Sequence, residues 1–318
     1  MNNRAKLTRA AIISVIGILF CLATVYVPFL GLLALILPVP YAIISTTSGY
    51  KYALISAISS FFILVLTVDI VFALNILVMS ILPGIAVGYK INQDGKVKNN
   101  NDFIPIYFGT ISFMISTIVF FILAKYLLNI DLLLDISKSI KTTIEMQFSI
   151  MEKTNMMPKQ NITAKDMINL FQNIMPTFLF MYSIIASFIT YYVEVFILKR
   201  TKVSNYNFMK FSEFYLPGNA VIASILLNLL VMLLGAMNIG LYTDSIMLNI
   251  QMVFSILFLI QGLSVAIYFI KKWNGKSSWR ISIAVVLVIL LSGSMILSFL
   301  GMIDSLIDFR KVRNYKST

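Results

Sequence analysis

Four ionisable side chains lie within or beside long apolar stretches of the sequence, namely Asp69, Lys125, Glu194 and Asp304. A charged group at membrane depth costs at least ~2.5 kcal/mol, so each of the four is a candidate functional group. Glu194 lies one to two helical turns before Lys199 and Arg200, near the basic end of the predicted helix. We therefore interpret Glu194 as part of a charge pair at a helix end rather than as a proton carrier.

Polar groups also gather near one end of the apolar stretches. Asp69, Asn75, Lys125 and Tyr126 fall at the ends that we predict to face outward, with Asn75 one to two turns deeper. Polar groups that converge in this way are typical of a pocket for a small polar molecule, so these four residues form the predicted substrate-binding site. The alternative interpretation is that they extend toward the lipid headgroups, because they lie near segment ends.

The chain lacks the residues on which most enzyme and metal sites depend. It has no histidine and a single cysteine, Cys21, which excludes His-based acid–base chemistry, His metal ligands and an intrachain disulfide. It also contains no Walker-type phosphate loop and no dinucleotide-binding fingerprint. We therefore expect no enzymatic activity, no cofactor and no metal site.

The composition is that of a polytopic membrane protein. Of the 318 residues, 59% are hydrophobic and 12% are charged, and the mean hydropathy is +0.90. Soluble domains carry roughly 25% charged residues, and an apolar run of about 20 residues can cross a bilayer as a helix. The sequence therefore predicts an all-α bundle of about nine transmembrane helices. The predicted spans are Ala10–Val27, Phe29–Thr47, Tyr52–Thr67, Val68–Tyr89, Ile104–Tyr126, Ile174–Leu198, Tyr215–Met237, Met247–Ile270 and Ile281–Met302.

Proline residues identify the spans that are most prone to a break. Pro28, Pro38 and Pro40 fall in or just before the second span, and Pro83 falls near the end of the fourth. Because proline lacks a backbone N–H, we expect both spans to be broken or short.

Basic residues predict the orientation in the membrane. The net charge is +12, and with the N-terminus in the cytoplasm most of the 25 Lys and Arg residues fall on the inner side. These basic loops favour contact with anionic lipid headgroups and give no indication of nucleic acid binding. After nine spans the tail residues Arg310, Lys311, Arg313 and Lys316 would lie outside. Either the last apolar run bends at Ser292-Gly293-Ser294 and returns, or the tail is an exception to the rule.

The stretch Tyr41–Thr67 predicts two helices joined by a tight turn, around which the other helices pack. After the turn, small residues recur with the i, i+3, i+4, i+7 spacing of one helix face: Ala53, Ser56, Ala57 and Ser60. A face of small residues lets a neighbouring helix approach closely, so these four are predicted helix-packing residues.

The chain is predicted to contain two membrane domains. Residues 1–200 form a six-helix domain with an outer insertion at 128–173, and residues 201–318 form a three-helix region with a basic tail. Apolar residues at helical spacing predict an amphipathic helix in the insertion. That helix either caps the bundle or lies on the membrane surface.

Two family resemblances follow from these features. The order of elements in residues 4–90 resembles the substrate-binding (S) component of energy-coupling-factor vitamin transporters, through the turn Ser48-Gly49-Tyr50-Lys51-Tyr52 and the small-residue face after it. That resemblance implies a six-helix fold with both ends inside over residues 4–200, and small-molecule binding. The whole chain resembles the YybS-like family of uncharacterised bacterial integral membrane proteins. The motifs that carry the second resemblance are Phe214–Asn219, Gln261-Gly262-Leu263, Gly301-Met302-Ile303-Asp304 and Asp308-Phe309-Arg310-Lys311.

Two functions remain open at this stage. The first is small-solute binding or transport, in which the six-helix domain binds a solute from outside and the remaining helices or a partner move it. The alternative is a non-transporting scaffold or regulator that holds a partner protein. The expected partners are the lipid bilayer, a membrane protein or a small-molecule ligand, with no nucleic acid. The expected location is the cell membrane, with the N-terminus in the cytoplasm.

Overall fold

The computed structural model describes residues 3–94, 103–154, 163–201, 210–216, 219–237, 242–274 and 278–312, with the backbone alone at Pro28, Leu32, Asp94, Asn274 and 278–292. Within these residues every regular element is a helix, which confirms the predicted all-α fold. Seven of the described helical segments are long and apolar enough to cross a membrane. Two shorter apolar helices, Ala220–Ala236 and Gly293–Ile307, accompany them. The prediction of a polytopic helical bundle is thereby confirmed.

The chain divides into two compact units. Unit 1 comprises Met1–Gln172 and Phe178–Phe208, and unit 2 comprises Asn173–Thr177 and Met209–Thr318. The division predicted from the sequence lies between residues 200 and 201.

The described residues before 201 form nine helices, and a 3₁₀ segment, Pro28–Ile36, precedes the second of them. They are α1 (Asn3–Tyr26), α2 (Pro38–Thr47), α3 (Tyr50–Thr67), α4 (Ile70–Ile76), α5 (Leu82–Asp94), α6 (Ile104–Tyr126), α7 (Leu132–Lys153), α8 (Ala164–Asn173) and α9 (Met175–Arg200). The 3₁₀ segment followed by α2 is the break that the prolines of the second span predicted.

The fourth span is not interrupted at Pro83, contrary to the prediction. A π-helical turn at Leu77–Ile81 joins α4 to α5, and the helix then continues through Pro83 to Asp94. A proline ring clashes with the carbonyl group four residues before it, and a π turn widens the helix at that place. The wider turn therefore accommodates Pro83 without ending the span.

The small-residue face of α3 lies in the core of unit 1. Ala53, Ser56, Ala57 and Ser60 are all buried. The hydroxyl group of Tyr41, on α2, donates a hydrogen bond of 2.8 Å to Ser60 Oγ. The turn between the two helices contains Gly49, whose φ is 103°. A buried tyrosine can therefore pack against α3 because the α3 residues beneath it are small.

The helices α2 and α5 approach each other even more closely. A Cβ atom added at Gly84 would overlap the carbonyl oxygen of Pro38, and one added at Gly88 would overlap the carbonyl oxygen of Ala42. The two glycines are four residues apart, as are their two contacts, so the helices run in the same direction with their backbones in contact. This is the close packing that a Gly-x-x-x-Gly pattern permits in membrane helices.

Unit 2 contains α10 (Ala220–Ala236), α11 (Thr243–Asn274) and α12 (Ser278–Ile307), and a 3₁₀ turn, Phe211–Glu213, precedes them. The helix α12 is two helices joined at Gly293, where φ is 66° and ψ is 168°. A φ in this range favours glycine, which has no Cβ atom to clash. The predicted span Ile281–Met302 is therefore bent at Gly293, the position at which the first of the two alternatives placed a bend.

Beyond Gly293 the second half of α12 runs parallel to α11. Ser298 Oγ donates to the Ser255 carbonyl oxygen at 3.0 Å, and Gln261 Nε2 donates to Asp304 Oδ2 at 2.8 Å. In both pairs the two partners are separated by 43 residues along the chain, so the two helices are parallel. The chain after α12 consequently leaves on the side where α11 ends, which is the side of the basic residues 271 and 272. The tail residues Arg313 and Lys316 lie outside the described residues.

Candidate functional site

Glu194, on α9, is wholly buried in unit 1. Its Oε1 is hydrogen-bonded to the hydroxyl group of Thr46 on α2. Its Oε2 has no hydrogen-bond partner in the part of the chain that the structure describes. Lys199 and Arg200 are exposed, so Glu194 does not form the helix-end charge pair that the sequence indicated. The helical register of α9 turns the carboxyl group inward, toward α2.

Hydrogen bonds to α5 fix the position of Thr46 beside Glu194. The side-chain amide of Asn92, on α5, donates to the Thr46 carbonyl oxygen at 2.7 Å. The Thr46 hydroxyl group lies 2.9 Å from the Gly88 carbonyl oxygen, which the close approach of α2 and α5 brings within reach. Three helices therefore meet at the carboxyl group, and α2 and α5 are fixed against each other there.

Glu194 ends a stripe of polar residues along α9. Ser183, Ser187, Thr190 and Glu194 follow one another at spacings of four, three and four residues, and all are wholly buried. Ser187 Oγ donates to the Ile106 carbonyl oxygen of α6 at 2.7 Å. The stripe was not predicted, although its helical spacing is visible in the sequence. That spacing would have placed Glu194 on the buried face of α9.

The four residues of the predicted substrate-binding site each make local contacts. Asp69 is the N-cap of α4 and accepts a hydrogen bond of 2.8 Å from the Phe72 backbone N–H. Asn75 is half-buried, and its side-chain amide lies 3.7 Å from Met79 Sδ on the next turn. No hydrogen bond among the described residues joins these two side chains to each other, and the pocket stays a prediction.

The other two predicted site residues lie at the end of α6. Lys125 forms an ion pair of 3.0 Å with Asp131, which caps the start of α7, and both side chains are partly exposed. The hydrogen bond from Lys125 lowers the pKa of the Asp131 carboxyl group. Tyr126 is 79% exposed. The ion pair thus connects the end of α6 to the start of α7.

Unit 2 contains a buried ion pair between Asp304 and Arg310, whose side chains are almost wholly inaccessible. The guanidinium group donates to the Asp304 carboxylate at 2.8 and 3.4 Å, to Ser264 Oγ at 2.6 Å, and to the carbonyl oxygens of Ser212 at 2.9 Å and Phe214 at 2.7 Å. A buried ion pair is stable when further hydrogen bonds satisfy the remaining donors and acceptors. The five bonds of Arg310 meet that condition.

The same network joins the sequence motifs that we singled out in the second half of the chain. The Leu216 backbone N–H donates to Gln261 Oε1 at 2.8 Å, and the Gln261 amide donates in turn to Asp304. One turn away, Gly262 and Gly301 are so close that a Cβ atom on either would overlap backbone atoms of the other helix. Pro217 and Gly218 of the first motif lie outside the described residues. The motifs are distant in sequence but meet at one buried polar site, which sequence reasoning alone did not assemble.

Among the described residues, no three His, Cys, Asp or Glu side chains are grouped so that they could hold a metal ion. The apolar helices and the buried polar sites define a multi-pass helical membrane protein. The chain belongs to the family described as "Predicted membrane protein (DUF2232)", whose profile matches residues 15–305. It is similar to "Uncharacterized protein YybS" of Bacillus subtilis (strain 168), with 26% identity over 299 residues, covering 91% of this chain and 90% of that protein. No solved structure matches the chain.

Proposed function

We propose that this protein binds a small solute in the cell membrane and takes part in its transport, with Glu194 as the group that exchanges a proton or a cation. The observation that carries the proposal is the wholly buried carboxyl group, one of whose oxygens has no partner among the described residues. Ionisable residues inside membrane bundles mark ion and substrate paths or proton relays. A role of this kind needs no catalytic group and no cofactor.

The hydroxyl group of Thr46 gives the site two arrangements. It has one proton but lies within hydrogen-bond distance of two oxygens, the Gly88 carbonyl oxygen and Glu194 Oε1. When Thr46 donates to Gly88, Glu194 has to carry a proton and donate it to Thr46. When Glu194 is ionised, Thr46 turns to donate to it, and Oε2 then needs a positively charged or hydrogen-bond-donating ligand. The ionised arrangement therefore favours a solute that carries a cationic group.

The layout of unit 1 supports a solute-binding role by analogy of fold. Six membrane-length segments lie in its described part up to α9, which is the number that the resemblance to a transporter S component implies. In this proposal the N-terminus faces the cytoplasm, and the predicted site at Asp69, Asn75, Lys125 and Tyr126 is the outward-facing entry for the solute. Asp69→Ala and Lys125→Ala test that part, because unchanged affinity for a solute would remove both residues from the site.

The central experiment uses the full-length protein in detergent. Its thermal unfolding would be measured with putrescine, choline and lysine and with neutral and anionic compounds of similar size. We expect at least one cationic compound to raise the unfolding temperature, and Glu194→Gln to weaken its binding by tenfold or more. Glu145→Gln, at an exposed position of α7, should bind as the unaltered protein does. Stabilisation by none of the compounds, or full binding by Glu194→Gln, would contradict the proposal.

A second candidate function is a scaffold or regulator that holds a membrane protein partner. The observation that favours it is the exposure of α7, where Ile144 is buried but Leu133, Ile136, Met146 and Ile150 are exposed. A photo-crosslinking residue at position 150, tested in native membranes, would identify such a partner. A stable partner together with normal solute uptake in a deletion strain would favour the scaffold over transport.

A further inference from the structure

A groove of about 410 Å³ opens on unit 1 between α1, α2 with its preceding 3₁₀ segment, and the end of α9. Its walls are mostly apolar. Ile13 and Phe20 contribute from α1, Ile43 contributes from α2, and further aliphatic residues contribute from α9. Glu194 is not among the residues that line the groove.

The polar groups of the groove lie at one end. Arg9 lies near the start of α1, whereas Thr47 and Thr201 lie at or just beyond the ends of α2 and α9. From Arg9 to Phe20 the α1 wall extends for roughly 16 Å, at 1.5 Å per helical residue. The groove therefore has the form that an amphiphile requires, with a polar end and a long apolar body.

Arg9 supplies the charge at the polar end. It is half-buried and makes no hydrogen bond or ion pair within the part of the chain that the structure describes. The hydroxyl groups of Thr47 and Thr201 donate to carbonyl oxygens of their own helices, and the lining includes no acidic residue. A guanidinium group binds phosphate oxygens in pairs through its planar N–H donors. The cation at this end is thus available to an anion from outside the chain.

We propose that the groove holds one anionic phospholipid, with its phosphate group on Arg9 and one acyl chain along the apolar walls toward Phe20. A soluble phosphate compound would leave the apolar walls unfilled. A zwitterionic lipid would bring its own cation close to Arg9 and weaken the attraction. An anionic lipid can pair its phosphate group with Arg9 and fill the apolar part of the groove with an acyl chain. It is also the amphiphile that a basic membrane face attracts.

Native mass spectrometry of the full-length protein tests the proposal with an equal mixture of phosphatidylglycerol and phosphatidylcholine that have the same acyl chains. We expect the first bound lipid to be phosphatidylglycerol, favoured by roughly tenfold, because the ammonium group of phosphatidylcholine opposes the attraction between its phosphate group and Arg9. Arg9→Gln should abolish most of that preference. Arg4→Gln removes the same charge from an exposed position of the same helix and should retain it.

A second pair of variants tests the apolar walls independently of charge. Ile16→Trp introduces a bulky indole ring into the groove, whereas Leu19→Trp introduces the same ring at an exposed position of α1 outside the groove. We expect Ile16→Trp to reduce the first binding step for both lipids and Leu19→Trp to leave it unchanged. Equal binding of the two lipids to the unaltered protein, or equal lipid preference in Arg9→Gln and Arg4→Gln, would overturn the proposal.

Discussion

Arg310→Met should destabilise unit 2 by about 3–5 kcal/mol, which is the cost of removing one partner from a buried ion pair. The Asp304 side chain is 1% exposed, so its carboxylate would keep the hydrogen bond from Gln261 but lose its cation without gaining water. The carbonyl oxygens of Ser212 and Phe214 would lose the guanidinium donors as well. A loss of this size is a large fraction of the roughly 5–15 kcal/mol by which a typical domain is stable.

Tryptophan fluorescence measures this effect in the intact protein. Both tryptophans, Trp273 and Trp279, belong to unit 2, so a denaturant titration in detergent reports on that unit. Lys311→Met removes the same charge from an exposed neighbouring position and should change the free energy of unfolding by less than about 0.5 kcal/mol. Arg310→Met combined with Asp304→Leu should recover part of the loss, because no unpaired charge remains buried. Equal unfolding of Arg310→Met and Lys311→Met, or a double variant that is the least stable of the three, would refute the expected cost of the unpaired carboxylate.

Three further predictions concern unit 1. Gly88→Ala should destabilise this unit by about 1–3 kcal/mol, because the added methyl group overlaps the backbone of α2. In the control Gly31→Ala the methyl group meets no atom within 4 Å, and stability should not change. Equal thermal unfolding of the two variants would contradict the prediction. Asp69→Ala should lower the free energy of unfolding by about 1 kcal/mol through loss of the α4 cap, and Asp69→Ser should restore most of that stability. A variant that loses solute binding without losing stability would instead show that Asp69 contacts the ligand. The hydrogen bond from Lys125 lowers the pKa of Asp131, so the ion pair is fully formed when the pH is above the ordinary carboxyl pKa of about 3.9. It should then protect the backbone amides at the start of α7 from exchange, and this protection should be lost as the pH falls through the lowered pKa. Hydrogen exchange measures this, and Asp131→Asn should show no such step.

The membrane class and most span positions follow from the sequence because long apolar runs have few alternatives to a helix in lipid. The bend at Gly293 was one of two alternatives, and the basic tail could not decide between them. The direction of the second half of α12 depends on its contacts with α11, which are separated by 43 residues along the chain. Local patterns do not contain that information.

The errors at Glu194 and Pro83 have different physical causes. The charges after Glu194 matched a helix-end pair, and the buried serine and threonine residues that precede it on the same face were the overlooked signal. Pro83 ordinarily ends a helix, but the π turn before it relieves the clash, and no sequence rule locates such a turn. The spacing of Gly84 and Gly88 can be seen in the sequence, but the sequence does not show that α2 is the helix that packs against them.

The hydrogen bond from Gln261 to Asp304 has a consequence for how the protein is made. Gln261 is 43 residues ahead of Asp304, so at roughly 5–20 residues per second it is synthesised on the order of several seconds earlier. During that interval α11 enters the bilayer with an amide whose acceptor does not yet exist. A chain that ends before Asp304 would leave this amide without its acceptor, and a chain that ends before Arg310 would leave the Asp304 carboxylate without its cation.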